Sequence, residues 1–512
     1  MNGAWQRLSE LGGELRRKGD VMTRQETWLR DCINRNMSTD YGRQHGFDQI
    51  NSIEEFRDRV PLVNYEDLMS LIERVSSGEA DVLFEGVPIA FERTGGSSGG
   101  NKLIPYSKAS LLDFRSAILP WLADATVTFG LAGGCAYWAI SPATRLPEQT
   151  RGGIPIGLPD GAYLGNEALP AFIELSAVPP WLGNIANVRD WQLATLYWLI
   201  RRNDLGIISI WSPTFFLTLL EKIEQLVAEL TGLLNQGGCI AGQVLPHDVL
   251  ALSRLNEYIQ SKDTRKLWPG LKLISCWADA SSKPFIQELR KRFPFASFQG
   301  KGLLSTEGVV TVPNEEGLPV LAADSGFFEF LSDDGRTKFS HELLSGVNYE
   351  VVMTTSGGLY RYRTGDVVVC EGFRNSLPVL RFVGRNNLMS DMVGEKLTEE
   401  FVTDCLKDIG GFRMLLPHVR DKARYVLVVD ALSDIDSILN IESVEASLSR
   451  NPQYAYARKI GQLDELSVVQ VNHPWDIFQR RAVERGVRLG DVKVPSLSSD
   501  TDLLDILLEA EL

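Results

Sequence analysis

Thr94, Gly95, Gly96, Ser97, Ser98, Gly99 and Gly100, followed by Asn101 and Lys102, make a stretch whose backbone amides and hydroxyls can surround a polyanion while a lysine neutralises it. A nucleoside triphosphate is the ligand such a loop suits. The phosphate loop that runs from Gly-Lys-Ser/Thr straight into a helix does not fit, because Lys102 follows Asn101 and precedes Leu103. Three further places have related chemistry. Ser305-Thr306-Glu307-Gly308 sets a hydroxyl beside a carboxylate, able to hold a phosphate oxygen and a magnesium ion respectively. Asp366, after Thr364-Gly365, could accept both hydroxyls of a ribose. Lys396, in SDMVGEKLTEE, follows Gly384-Arg385 by about ten residues. Taken singly, each is readable as an ordinary turn, a cap or a solvated lysine. Their order along the chain sets them apart.

The elements that must position these residues follow from pattern. Ile89-Ala-Phe and Leu103-Ile-Pro-Tyr read as strands on either side of the glycine stretch, with Pro105 limiting the second to a sheet edge. The first ninety residues read as helical, with a capping pair at Ser52 and Glu55 and a stop at Pro61. Ser107 suits the N-cap of a helix through Leu111, Phe114, Ile118 and Leu119. Between about 140 and 185 prolines and glycines predict a long loop. Helices are expected from Val188 to Arg202 and from Ser212-Pro213, where serine caps and proline fills the first turn. From Leu271 the runs LKLISCW, FASF, VVTV, GFFEFL, YEVVMTT, DVVVC and VLRFV predict sheets or a barrel. Beyond Gly384 helices and strands alternate. The polar stretch Gly384-Arg385-Asn386-Asn387 is the one boundary, dividing 1–384 from a small α/β domain at 385–512.

Composition narrows the function classes. With 512 residues the chain can bury a large core. A net charge of -14 without a basic stripe argues against a nucleic-acid or anionic-membrane surface. Six cysteines without a CxxC pair and five histidines without metal-ligand spacing fit a reduced, cytoplasmic protein lacking structural zinc. The N-terminus is amphipathic rather than signal-like, and Trp121 to Ile140 is broken by Asp124 and glycines, so no membrane span is expected.

FERTGGSSGGNKLIPYS, DLGIISIWSPTFFLTLLEKIE, KLWPGLKLISCWADASSKPFI, LLSTEG, NYEVVMTTSGGLYRYRTGDVVVC and GRNNLMSDMVGEKLTEE together resemble the Gretchen Hagen three family, the auxin-responsive acyl-acid amido synthetases of the adenylate-forming superfamily. A non-plant branch of it fits best. The resemblance implies an α/β fold with a large N-terminal domain of β-sheets or a β-barrel with helices, and a small mobile C-terminal domain. It further implies ATP with Mg²⁺, and joining of a small carboxylic acid to an amino acid through an acyl-adenylate. Position by position, Thr94 to Lys102 would contact phosphate, Thr306 likewise, and Glu307 would hold the metal. Asp366 would bind ribose, Arg385 would sit at the hinge near it, and Lys396 would be carried by the small domain to the α-phosphate; Lys396 and Lys102 are then the catalytic cations. Leu303 stands where many members have an adenine-stacking tyrosine, Ala280 where a glycine is usual, and Ser496 replaces an arginine after Lys493-Val-Pro495. An acyl-CoA ligase shares the first half-reaction, and a non-catalytic nucleotide-binding protein would share the fold. No residue is singled out as the base for amide formation, and the acid, the amino acid and the oligomeric state stay open.

Overall fold

The structure, a computed structural model, describes residues 3–94, 102–139, 148–279, 282–385, 389–419, 423–431, 441–485, 487–498, 500 and 502–509. Helices fill the first eighty of these: Gly3–Glu14, Val21–Asn36, Asp40–Gln44, Ile53–Arg59 and Tyr65–Ser76. Ser52 accepts a hydrogen bond from Glu55 N at 3.2 Å, and the Ile53–Arg59 helix stops before Pro61, as its missing N–H requires.

A four-stranded parallel sheet lies at the centre of the large domain, in the order Ser297–Gly300, Leu273–Cys276, Leu205–Ser209, Cys135–Trp138. Its two central strands, Leu205–Ser209 and Leu273–Cys276, are buried on both faces and so read as largely apolar runs. One face packs on Trp191, Leu196, Phe216 and Trp268 from the Val188–Arg201 and Pro213–Gln225 helices and the loop before Leu273. The other face, through Ala136, Ile207 and Leu273, meets Trp5, Leu119, Trp121 and Leu122 from the Gly3–Glu14 and Lys108–Thr128 helices. Ser107 caps the latter helix, accepting from Ser110 N at 3.1 Å. Ser212 precedes the Pro213–Gln225 helix but does not cap it: its hydroxyl bonds Thr214 Oγ1 at 2.5 Å.

The run of β-branched segments after Leu271 divides between two sheets. Leu273–Cys276 and Ser297–Gly300 join the parallel one, whereas the later segments build a seven-stranded antiparallel sheet at whose centre Leu377–Arg385, Tyr362–Arg374 and Asn348–Thr354 are neighbours. Ala90–Arg93 and Leu103–Tyr106 form an antiparallel hairpin, with the proline-bearing strand at the edge of its sheet. The expected long loop between 140 and 185 is partly ordered instead. Pro155–Ile156 pairs with the hairpin, and Asp160–Leu175 is helical with a break at Gly165, where φ is 77°. Burial of Leu164, Ala168, Ala171 and Leu175 in the core compensates for Pro170 within that helix.

The small domain holds a three-stranded sheet, Arg413–His418, Arg424–Asp430 and Ser467–Val471, covered by helices. It docks on the large domain through its C-terminal segment. Trp475 Nε1 donates to Thr218 Oγ1 at 2.8 Å, Arg488 Nη2 reaches Glu92 Oε2 at 3.0 Å, and Leu489 is buried in the core of the large domain.

Candidate active site

At the mouth of the glycine hairpin Thr94 N donates to Lys102 O at 3.0 Å, so these two residues face each other where the strands end. Gly95, Gly96, Ser97, Ser98, Gly99, Gly100 and Asn101 lie outside the described residues. Lys102 Nζ sits 5.3 Å from the Tyr65 ring centroid, and Tyr65 Oη accepts from Leu103 N at 2.9 Å, which fixes the lysine's side of the hairpin.

The hairpin reaches the second motif through one bond: Tyr106 Oη donates to Thr306 O at 2.6 Å. Thr306 and Glu307 are the tip of a tight turn closed by Ser305 N to Gly308 O at 2.9 Å and Gly308 N to Ser305 O at 3.2 Å. Behind them Tyr106, Asp113, Glu307 and Thr355 line a cavity of about 20 Å³, room for one water. Burial pushes Asp113 up to about 7, although Ser356 N and Trp28 Nε1 both donate to its carboxylate.

Asp366, only 2% exposed, follows Gly365 at φ 75° and is the register partner of Arg385 across neighbouring antiparallel strands. Arg385 Nε donates to Asp366 Oδ1 at 2.6 Å. Asp366 first, and Glu307 as a further negative charge, raise the Arg385 guanidinium against the opposing effect of burial. Burial and then the Glu307 charge likewise raise Tyr362. The second and third motifs therefore share one cleft. Arg361 and Arg363 beside them serve the fold: each holds a carboxylate with two nitrogens, Arg361 on Glu329 at 2.8 and 2.9 Å, Arg363 on Glu350 at 3.0 and 2.8 Å.

Lys493 brings a cation to this cleft that the pattern of motifs did not single out as catalytic. Its Nζ lies 3.7 Å from the Trp277 ring centroid, and Arg385, Asp366 and Glu399 all act on its charge. Crowding of the ammonium by protein, with Arg385 second, lowers its pKa, and because the residue as a whole is exposed, solvent moderates that shift. Lys396 is exposed and left-handed, with φ at 47°, and among the described residues nothing ties it to Glu307, Asp366 or Arg385. Its neighbour Glu395 is fully buried and accepts from Met392 N, Val393 N and Tyr425 Oη, which fixes the loop that turns Lys396 outward. The segment Asp491 to Pro495 was the only sequence signal for Lys493, and that signal did not say where the segment docks. Leu303 is buried in the core, and Ala280 falls outside the described residues.

The sequence matches the GH3 family N-terminal domain over residues 16–297, the GH3 family central domain over 319–385 and the GH3 family C-terminal domain over 398–502. Jasmonoyl–L-amino acid synthetase JAR4 of Nicotiana attenuata is 24% identical, with 73% of this chain and 71% of that protein aligned. Indole-3-acetic acid-amido synthetase GH3.4 of Arabidopsis thaliana is 23% identical over 94% of this chain and 90% of its own length. Among solved structures, AtGH3.15 acyl acid amido synthetase in complex with 2,4-DB superposes with a TM-score of 0.84 at 21% identity, covering 96% of this chain and 93% of that one. A 2-hydroxyisobutyryl-CoA ligase in the postadenylation state superposes at 0.50 and 13% identity, covering 99% and 91%.

Proposed function

This chain belongs to the GH3 family, and from that premise we propose that it is an ATP-dependent acyl-acid amido synthetase, which activates a small carboxylic acid as its acyl-adenylate with release of pyrophosphate, then transfers the acyl group to the amine of an amino acid with release of AMP. What supports the reading is the nearness of Glu307, the Asp366–Arg385 pair and Lys493, with Tyr106 of the glycine hairpin bonded to the Thr306 carbonyl. The amido synthetase names of the relatives agree with it.

Attack of a carboxylate on an α-phosphate brings two anions together, so the protein's task is charge compensation and alignment rather than nucleophilic catalysis. Lys493 and Lys102, with Thr94 and the amides of 95–100, supply the positive field; Thr306 offers a hydroxyl to phosphate. A unit-charge pair at 4 Å gains about 1 kcal/mol in water and about 4 kcal/mol at an effective dielectric near 20, so docking of the small domain over the cleft strengthens each of these contacts. Among the described residues no group of three or more His, Cys, Asp or Glu could cage a metal. Glu307 would be the carboxylate that holds Mg²⁺, and a single carboxylate suits an ion that arrives with phosphate oxygens and keeps its waters. Asp366 takes the ribose hydroxyls, with Arg385 holding the carboxylate in place.

For the second half-reaction the small domain turns about residues 384–387, withdrawing Lys493 and presenting Lys396. No described helix is long and apolar enough to cross a membrane, and the cytoplasm, with its ATP and free amino acids, is the compartment that fits. ATP–pyrophosphate exchange over a panel of carboxylic acids tests the reading. At least one acid supports exchange; a broad panel without exchange, together with no ATP binding by calorimetry, refutes it.

A further inference from the structure

The parallel sheet ends in a rung that the chemistry above does not use. Trp138, Ser209, Ser275 and Gln299 are register partners across its four strands. Side chains alternate along a strand, so these four share the face that carries Ala136, Ile207 and Leu273 beneath the Lys108–Thr128 helix. Two are satisfied: Trp121 Nε1 donates to Gln299 Oε1 at 2.8 Å, and Lys301 Nζ donates to Ser209 Oγ at 2.6 Å. Two are not. The Trp138 indole N–H and the Ser275 hydroxyl are buried, and among the described residues neither has a hydrogen-bond partner.

Lys301 completes the group. It is 7% exposed, and its ammonium lies 5.1 Å from the Trp121 ring centroid and 5.2 Å from that of Trp211. Among the described residues no carboxylate comes within ion-pair distance of it. The nearby Cys276 thiol, pushed up to about 12 by burial, supplies no anion either, and burial lowers the Lys301 ammonium to about 8. An ammonium with one of three donors spent, an unused indole N–H and an unused hydroxyl form a donor set that lacks an acceptor. A carboxylate, with two oxygens and four lone pairs, matches it.

Position decides which carboxylate. Trp211 lies 5.9 Å from Trp277, and Trp277 in turn carries Lys493, so the rung is set back from the reaction cleft by an indole pair. A carboxylate about to be adenylated loses its charge, and an ammonium holding it would favour the ground state over the transition state. The acceptor's α-carboxylate sits one carbon from the attacking amine and belongs in the cleft itself. We propose that the rung is the distal anchor of the acyl pocket and that the acid substrate is a dicarboxylate, its second carboxylate held by Lys301, Trp138 and Ser275 while the first is activated beside Glu307.

The inference rests on the amido synthetase reading for the identity of the pocket, but its test is separable. Benzoate against terephthalate, and hexanoate against adipate, are compared by calorimetry with a non-hydrolysable ATP analogue present, and by pyrophosphate exchange. The wild-type protein binds the diacids at least ~10-fold more tightly than the monoacids. Lys301→Met, with an unchanged melting temperature, removes that preference and leaves monoacid binding within about threefold. Ser275→Ala and Trp138→Phe each cut diacid affinity several-fold, and they carry the test should Lys301→Met not fold. Monoacids bound as well as diacids, a preference that survives Lys301→Met, or an effect confined to the KM of the amino acid each overturns the anchor. Lys301-dependent diacid binding in a protein that never exchanges pyrophosphate would support the anchor and refute the amido synthetase reading.

Discussion

Asp366 and Arg385 face each other across the Tyr362–Arg374 and Leu377–Arg385 strands, and Arg385 Nε donates to Asp366 Oδ1 at 2.6 Å. Arg385 is the last residue of its strand and the last residue matched by the central family domain, whereas the C-terminal family domain begins at 398. The group proposed to receive ribose is thus bonded to the residue at which we place the domain boundary, and the proposed rotation of the small domain would be felt at the nucleotide.

Removal of the carboxylate in Asp366→Ala is expected to weaken ATP binding by ~10-fold or more, the scale of ~1.5–3 kcal/mol for a hydrogen bond to a charged group. Calorimetric titration with ATP checks it. Equal affinity in the variant would return Asp366 to a structural role as the partner of Arg385.

A lysine whose pKa lies below its ordinary value makes adenylation pH-dependent. The Lys493 ammonium is present below that lowered pKa and lost as pH rises through it, so kcat/KM for pyrophosphate exchange declines on the alkaline side, earlier than an ordinary lysine would allow. Lys493→Arg moves the decline upward, because a guanidinium stays protonated. Lys493→Ala lowers exchange by ~10²-fold where the wild-type lysine is charged, the scale for loss of one preorganised charge-stabilising group, and the gap narrows as pH rises through the lysine's pKa. A decline that is unmoved by Lys493→Arg would assign the titration elsewhere.

The two small-domain lysines separate the half-reactions. Lys396→Ala leaves pyrophosphate exchange within a few-fold of wild type and lowers transfer to the amino acid by ~10-fold or more, whereas Lys493→Ala has the reverse effect. Spin labels on Cys239, the exposed cysteine, and on a cysteine replacing Lys459 report the motion directly. Their distance distribution shifts when an acyl-adenylate analogue is bound. A distribution that is the same with and without the analogue argues against rotation.

Gly302 sets the path into the Thr306–Glu307 turn. It adopts φ 80°, and a Cβ there would lie 2.4 Å from Thr311 O, a backbone atom that cannot yield cheaply. Gly302→Ala should cost on the order of 3 kcal/mol in urea unfolding, more than conformational preference alone explains. A loss under about 1 kcal/mol would show that this loop relaxes.

Local chemistry made the hairpin legible, since alternating apolar residues around a glycine run, with Pro105 confined to an edge, leave little choice. The same holds for the Ser107 cap and for the Pro213–Gln225 helix, whereas the small domain's rhythm showed alternation only, and the strand Arg413–His418 and the helix Pro452–Lys459 break it. The helix Asp160–Leu175 was hidden because its break at Gly165 and the internal Pro170 mimic a loop, while its apolar face gains meaning only against the core. Asp366 and Glu307 could be picked out as chemistry-bearing, yet their nearness to Arg385 depends on strand register and on a turn closed by backbone bonds. Lys493 enters the cleft by docking of one domain on another, through contacts such as Arg488 with Glu92. The rung of Trp138, Ser209, Ser275 and Gln299 draws one residue from each of four distant strands, so no spacing announces it.

Product identity tests the central claim most directly. The protein is incubated with ATP, Mg²⁺, an acid identified by exchange, coenzyme A and the twenty amino acids, and the products are resolved by mass spectrometry. An amide of the acid with an amino acid, formed together with AMP and absent when ATP is omitted, is the predicted result. A CoA thioester as the sole conjugate would contradict it.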